Sequence, residues 1–409
     1  MKKFVTYASW STAEILFKRT SQVIITIIGM YLLSPAEFGS IAIVFFTVAL
    51  GLSITDGGTR DYIFTKQSIS KQQVGEISVT SFILGLTFCF TCGLVYVLLK
   101  NTVYHTNTLS FLLICVTVLS QAGSIAQLAY LQREGSYDQL AKISSLSWFM
   151  ATLVSISALY FEFGKESLIL HLAFGHLLNA VLILRTTRIF PRFYGYSKLI
   201  SEVLAFSKFL IFSQLIDTIA RNIFILVFPI LYGLNTSGIF FIADKIKESF
   251  LNLLGAGIRY PILGTISEAI KRDKNSIFLI LVKVSFYSIT FVAIVWFFVF
   301  MVPEEILPTD YRSVKNIFLL LLIANVFIVL NNSVLDILKL IKYTNISFYL
   351  EIFKKTILFI MVYICTKLQE GELMTFLIGL ISIMYINTVI NVLVVMRVYR
   401  RHMKISESL

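Results

Sequence analysis

Nine of the 35 basic residues stand five or more residues inside long apolar runs, and they are where this sequence could do chemistry. Glu14 and Lys18 are spaced i, i+4 on one helix face, with Arg19 turned about 100° away. Asp217 and Arg221 repeat that spacing, and Asp244, Lys245, Lys247 and Glu248 put four charges into five residues. Arg60 and Arg259 follow apolar runs at equivalent places. A charge at the centre of a membrane helix costs about 2.5 to 3.5 kcal/mol on insertion scales, so those deep in a run need a partner or an aqueous cavity. Lys208, nearer an end, can snorkel. Fixed cations in such a cavity suit an anionic solute, and the arginine fork gives oxyanions the strongest hydrogen bonds. Other chemistries lack their parts. Cys89-x-x-Cys92 sits mid-run without a second pair, which favours packing over a metal or redox role. His171 and His176 are about 140° apart around a helix and suit no shared ligand; His176 is a minor candidate for proton coupling. Gly255-x-Gly257 has neither the strand nor the Gly-Lys-Ser/Thr of a nucleotide loop, and no nucleophile constellation is evident, so no cofactor is expected and the chain reads as a non-enzyme.

The elements that must position these charges are transmembrane helices. The chain is 57% apolar and only 14% charged, with a mean hydropathy of +0.83, against about a quarter charged for a soluble domain. That excludes a cytosolic enzyme, and four Cys in 409 residues exclude a disulfide scaffold. About twenty apolar residues span a bilayer core. Twelve such runs occur, over 11–33, 38–56, 77–99, 109–130, 140–161, 167–184, 203–231, 238–258, 277–302, 314–338, 346–366 and 373–396.

Charge placement sets the expected orientation. With the N-terminus inside, inner connections and tails carry 21 Lys and Arg and outer connections carry 5, so both termini are expected in the cytoplasm. The formal charge of +12 is then mostly topological, and nucleic acid is not an expected partner. No cleavable signal is expected, because the first run carries Glu14, Lys18 and Arg19.

Sliding the chain against itself by 199 residues aligns Tyr7 to Arg60 with Phe206 to Arg259 without a gap. Gly39 and Gly238 both open the second helix of a half, and Gly58-x-Arg60 and Gly257-x-Arg259 both close it. This predicts two six-helix lobes in parallel orientation, over 1–190 and 199–409, joined by a cytoplasmic linker at 191–198, with substrate between them. The same offset aligns Lys18 with Asp217, which predicts a state-dependent gate between lobes; Glu14, Asp244 and Glu248 join Asp217 as expected gating or coupling residues.

Three segments carry a resemblance to a known family: Leu33-Ser-Pro35-Ala-Glu37-Phe38-Gly39 between the first two helices, Leu131-Gln132-Arg133-Glu134 with Tyr137 and Leu140-Ala141 after the fourth, and Asp244-Lys-Ile-Lys-Glu248 in the eighth. In this order along twelve helices they resemble the Wzx-type polysaccharide flippases, the O-antigen and capsule translocases of the multidrug/oligosaccharidyl-lipid/polysaccharide exporter superfamily. The resemblance implies an all-α, MATE-like fold around a central cavity. It implies movement of undecaprenyl-diphosphate-linked oligosaccharide repeat units from the cytoplasmic to the periplasmic leaflet of the bacterial inner membrane. Membrane lipid, a polysaccharide polymerase and a chain-length regulator are the partners it implies. Lys18, Arg19, Arg60, Arg221, Lys245 and Arg259 are the expected substrate-binding residues. One rival is a cation-coupled multidrug exporter, against which the buried cations argue. Another is a membrane polymerase or ligase, against which the short outer connections argue, the longest being Pro303 to Ser313.

Overall fold

The computed structural model describes residues 2–66, 68–98, 107–192, 196–254, 276–340, 344–367 and 373–407. Among them the chain is helical throughout: α1 Lys2–Leu32, α2 Pro35–Asp56, α3 Thr59–Thr65, α4 Lys71–Leu98, α5 Thr108–Arg133, α6 Tyr137–Tyr160, α7 Glu166–Thr187, α8 Tyr196–Leu254, α9 Ser276–Met301, α10 Arg312–Leu340, α11 Thr344–Lys367 and α12 Leu373–Glu407. Nine helical stretches among the described residues are long and apolar enough to cross a membrane. Each of the twelve apolar runs falls on one of these helices, with two of them sharing α8.

Local chemistry explains where helices begin and end. Ser34 caps α2, its hydroxyl accepting the Glu37 N–H while the Glu37 carboxylate accepts the Ser34 N–H at 2.8 Å. With Pro35 in the first turn, the Ser-Pro-Ala-Glu segment is thus a capping box, which satisfies donors that lipid cannot. Gly57 and Gly58 end α2 in left-handed conformation, φ +47° and +73°. They turn the chain into α3, seven residues that continue the same apolar stretch, Pro35–Thr65. Arg133, from the second motif, reaches from the end of α5 to donate to the Ile63 carbonyl at 3.1 Å, near the C-terminal end of α3.

The element α8 is two helices joined at one residue. Gly233 has φ +78° and ψ 169°, outside helical geometry, and Pro229 lies one turn before it. The sequence leaves residues 232–237 between two runs; in the structure the helix resumes directly after Gly233.

Two compact units emerge, residues 1–241 and 242–409. In the first, α1 packs on α6, α5 on α4 and α7, and α2 on α4 and α5. Its interior is built by Val44 and Val48 of α2, Phe88 of α4, Ile114 and Val118 of α5, Trp148 of α6, and Ile169 and Leu172 of α7. In the second, α10 is central and packs on α9, α11 and α12. Large apolar side chains stay exposed on many helices, Phe90, Phe149, Phe212, Phe298 and Leu393 among them. That is the surface a bilayer covers.

Candidate functional site

In the first unit the charges of α1 are drawn inward to a polar cluster. Glu14 lies in hydrogen-bonding reach of Ser144 on α6 and in electrostatic range of Lys18 and Arg60. The Lys18 ammonium sits over the Trp148 ring, 4.6 Å from its centroid, an arrangement in which the ring quadrupole offsets part of the lost hydration. Trp148 is itself held on two sides, with His171 at 5.3 Å and His176 at 5.4 Å between ring centroids. Gly175 gives it room, since a Cβ there would meet the indole at 2.8 Å. The two histidines bond to separate partners, His171 Nε2 with Thr152 Oγ1 at 3.3 Å and His176 Nδ1 with Gln121 Oε1 at 3.1 Å. They share no ligand geometry, in keeping with their spacing. Arg19 turns away and donates to Gln22 Oε1 at 3.2 Å.

At the start of α3, Arg60 is the principal cation near Asp56. Asp56 Oδ1 and Arg60 Nε are each buried without a hydrogen bond. The equivalent Arg259 lies outside the described residues.

The first half of α8 runs beside α2 and α3 within the same unit. Asp217 and Arg221 form the expected i, i+4 pair at 2.7 Å, and the Arg221 side chain is 69% exposed despite its place deep in the helix. Ser53 and Thr218 share a hydrogen bond at 2.8 Å. Toward the α3 end, the Tyr62 hydroxyl donates to Glu202 Oε2 at 3.0 Å and Lys66 reaches the same oxygen at 3.2 Å. The hydrogen bonds it donates to Tyr62 and Glu202 hold the Lys66 ammonium above the ordinary lysine range. Spacing could not have found this contact, because Glu202 stands 136 residues from Lys66.

At the opposite end of α2, the duplicated glycines meet. A Cβ on Gly39 would collide with the Leu234 carbonyl oxygen, and one on Gly238 with the Pro35 carbonyl oxygen. Pro35 and Leu234 are also related by the 199-residue offset, so each strand of the repeat presents the same carbonyl to the other's glycine. The two backbones touch around a local pseudo-two-fold axis, as small residues permit in membrane helices.

In the second unit the four-charge segment resolves into two i, i+3 pairs, Lys247 with Asp244 and Lys245 with Glu248, the latter at 3.3 Å. The Lys247–Asp244 pair is the more enclosed, and Asn325 of α10 donates to the Lys247 carbonyl at 3.4 Å. Among the described residues no group of three His, Cys, Asp or Glu side chains has metal-binding geometry. Cys89 and Cys92 pack against the core of the first unit.

The apolar helices and their arrangement define a multi-pass membrane protein with a MATE-like fold. Solved structures of similar fold include an inward-facing multidrug resistance MATE family transporter of the MOP superfamily, at TM-score 0.66 and 13% identity over 96% of both chains. They include the eukaryotic MATE transporter AtDTX14, at 0.61 and 13% over 97% of both. A MOP superfamily transporter from Pyrococcus furiosus, whose binding pocket is described as having reverse polarity, aligns at 0.54 and 13% over 97% of this chain and 96% of that one. No curated protein matches the sequence. Residues 31–313 match the family described as polysaccharide biosynthesis protein. The chain belongs to that family.

Proposed function

We propose that the protein is a flippase that carries undecaprenyl-diphosphate-linked oligosaccharide repeat units from the cytoplasmic to the periplasmic leaflet of the bacterial inner membrane. Arg221 carries this reading most directly: a guanidinium deep in a helix, paired with Asp217 and still 69% exposed, in a family of polysaccharide biosynthesis. A lipid diphosphate sugar has a polyanionic head that must cross an apolar slab, while its isoprenoid tail can remain in lipid. Cations in a water-filled cleft lower that barrier, and arginine can bind two oxyanion oxygens at once.

Lys18, Arg19, Arg60, Arg221, Lys245 and Arg259 are the proposed substrate contacts. Glu14, Asp217, Asp244 and Glu248 keep them paired when the substrate is absent. The two lobes, 1–190 and 199–409 with the linker at 191–198, rock against one another, and Lys18 meets Asp217 in one state while Trp148 and Arg221 hold them in the other. Both termini are cytoplasmic, and a polymerase and chain-length regulator take the product on. The multidrug resistance transporter of similar fold favours drug export as a second reading, although a cationic drug would meet Lys18, Arg19, Arg221 and Lys245.

The test is Arg221→Ala and Lys245→Ala in cells that display the polysaccharide. Each abolishes surface polysaccharide at normal protein level and membrane insertion. Wild-type display in both variants overturns the reading.

A further inference from the structure

After α7 the chain runs outside any helix as a short strap, residues 188–192. Arg188 ends α7 in left-handed conformation at φ +55°, a position that ordinarily favours glycine. Exposure then alternates with the period of extended backbone: Thr187 and Ile189 are buried, while Arg188, Phe190 and Arg192 are exposed. The strap is pinned in place. Ile189 packs into the cluster that includes Tyr62, Val74 and Ala126, and its carbonyl accepts from Gln127 Nε2 of α5 at 3.2 Å. The Arg192 N–H donates to the Gly75 carbonyl of α4 at 3.1 Å. Gly75 also admits the Phe190 carbonyl oxygen, which a Cβ there would meet at 2.7 Å. Gly75 lies four residues into α4, about 6 Å along its axis. The strap therefore runs between the ends of two membrane helices, at the depth of lipid headgroups.

The surface beside it passes from apolar to basic along one line. On α7 the exposed residues Leu177, Val181 and Arg185 follow at i, i+4 and i+8, and Arg188 comes next at the helix end. Lys71, also exposed, stands one turn before Gly75, where Arg192 packs. Among the described residues Lys71, Arg185, Arg188 and Arg192 enter no ion pair. The neighbouring Glu76 is buried and accepts from Gln72 at 3.5 Å. These cations lack a counter-charge, and they border a stripe that a bilayer covers and a Phe190 that is 59% exposed. A free phosphate or a nucleic acid would leave the apolar part of this surface uncovered, and a zwitterionic phospholipid would bring a cation of its own. An anionic phospholipid matches both parts, with acyl chains for the stripe and a phosphodiester for the arginine forks.

We propose that the end of α7 and the strap form a binding site for an anionic phospholipid, its headgroup held by Arg185, Arg188 and Arg192 and its chains lying along Leu177 and Val181. The site requires only that the helices span a bilayer, so it holds for a flippase and a drug exporter alike.

Native mass spectrometry of the purified full chain, titrated with phosphatidylglycerol and with phosphatidylcholine of the same acyl chains, tests it. The wild type should bind at least one phosphatidylglycerol at least fivefold more tightly than phosphatidylcholine. Arg188→Gln and Arg192→Gln should each cut that preference at least threefold. Gly75→Ala keeps every charge but displaces the strap, and should cut it as well. Lys142→Gln removes an exposed cation of α6 outside the strap and should leave it unchanged. No preference in the wild type overturns the proposal. An equal loss in Lys142→Gln overturns it too, since the attraction would then be diffuse positive charge rather than a site. Undecaprenyl diphosphate, as a third probe, should not displace phosphatidylglycerol; displacement that Arg188→Gln abolishes would make the strap a port for that lipid and overturn the phospholipid assignment. The flippase reading is decided separately, by the polysaccharide display of the Arg221 and Lys245 variants.

Discussion

Lys18 shows what spacing reveals about a residue and what it conceals. Its i, i+4 partner Glu14 is legible in the sequence, but its seat on Trp148 is not, because the ring comes from α6, 130 residues away. A cation–π contact is worth about 0.5 to 2 kcal/mol. Lys18→Met should therefore lower the thermal midpoint slightly and export strongly, whereas Lys18→Arg should retain both. Measuring midpoint and surface polysaccharide on the same preparations checks this; an unchanged pair of values in Lys18→Met would show that the ammonium does nothing there. Asp217 and Arg221 were readable in full, since both partners sit on one helix. Arg221→Lys should be only partly active, because a point charge replaces a planar fork. Full activity in that variant would mean the substrate senses charge alone.

Helices were the most legible elements, since every long apolar run is one. What the sequence hid depends on single backbone angles and short segments. Seven residues of α3, with Arg60 and Asp61 among them, continue the apolar stretch of α2 beyond its end at Asp56, and the junction in α8 is one glycine at φ +78° rather than a loop. The glycines at 39 and 238 were visible as a repeat, but their mutual contact was not. Their geometry makes a sharp prediction. Gly39→Ala and Gly238→Ala each force a methyl into a carbonyl oxygen of the other helix, so each should cut export at least tenfold, and to similar extents. Gly123, on α5, has nothing within 4 Å of a would-be Cβ. There alanine should be neutral or stabilise by up to about 1 kcal/mol through helix propensity. Display of surface polysaccharide by the three variants checks the contrast, and equal display in all of them would remove the close approach from the mechanism.

For the whole molecule, charge bias predicts orientation. With 21 basic residues expected inside and 5 outside, alkaline phosphatase fusions should be active after Leu33, Lys165, Leu234 and Glu304 and inactive after Ser70, Glu134, Arg192 and Lys342. An active fusion at Arg192 would invert the topology and with it the direction of transport. The compact unit that ends at Phe241 includes the first half of α8, because α8 contacts α2 at Ser53–Thr218 and at the glycine crossing. The duplication instead assigns α8 to the second lobe. Family membership was legible from motifs whose physical roles are now visible, a capping box at Ser34 and a carbonyl clamp at Arg133. Those roles are architectural, which is why the motifs identify the family without naming the sugar.

The most direct test of the central claim is reconstitution of the purified chain into liposomes that carry a fluorescent undecaprenyl-diphosphate oligosaccharide in one leaflet. A membrane-impermeant reductant then reports how much label reaches the other leaflet. Wild-type protein should equilibrate the leaflets, and Arg221→Ala should slow this at least tenfold at equal protein content. Leaflet exchange no faster than in protein-free liposomes, with transport of cationic drugs by the same preparation, would contradict the account and establish the drug exporter in its place.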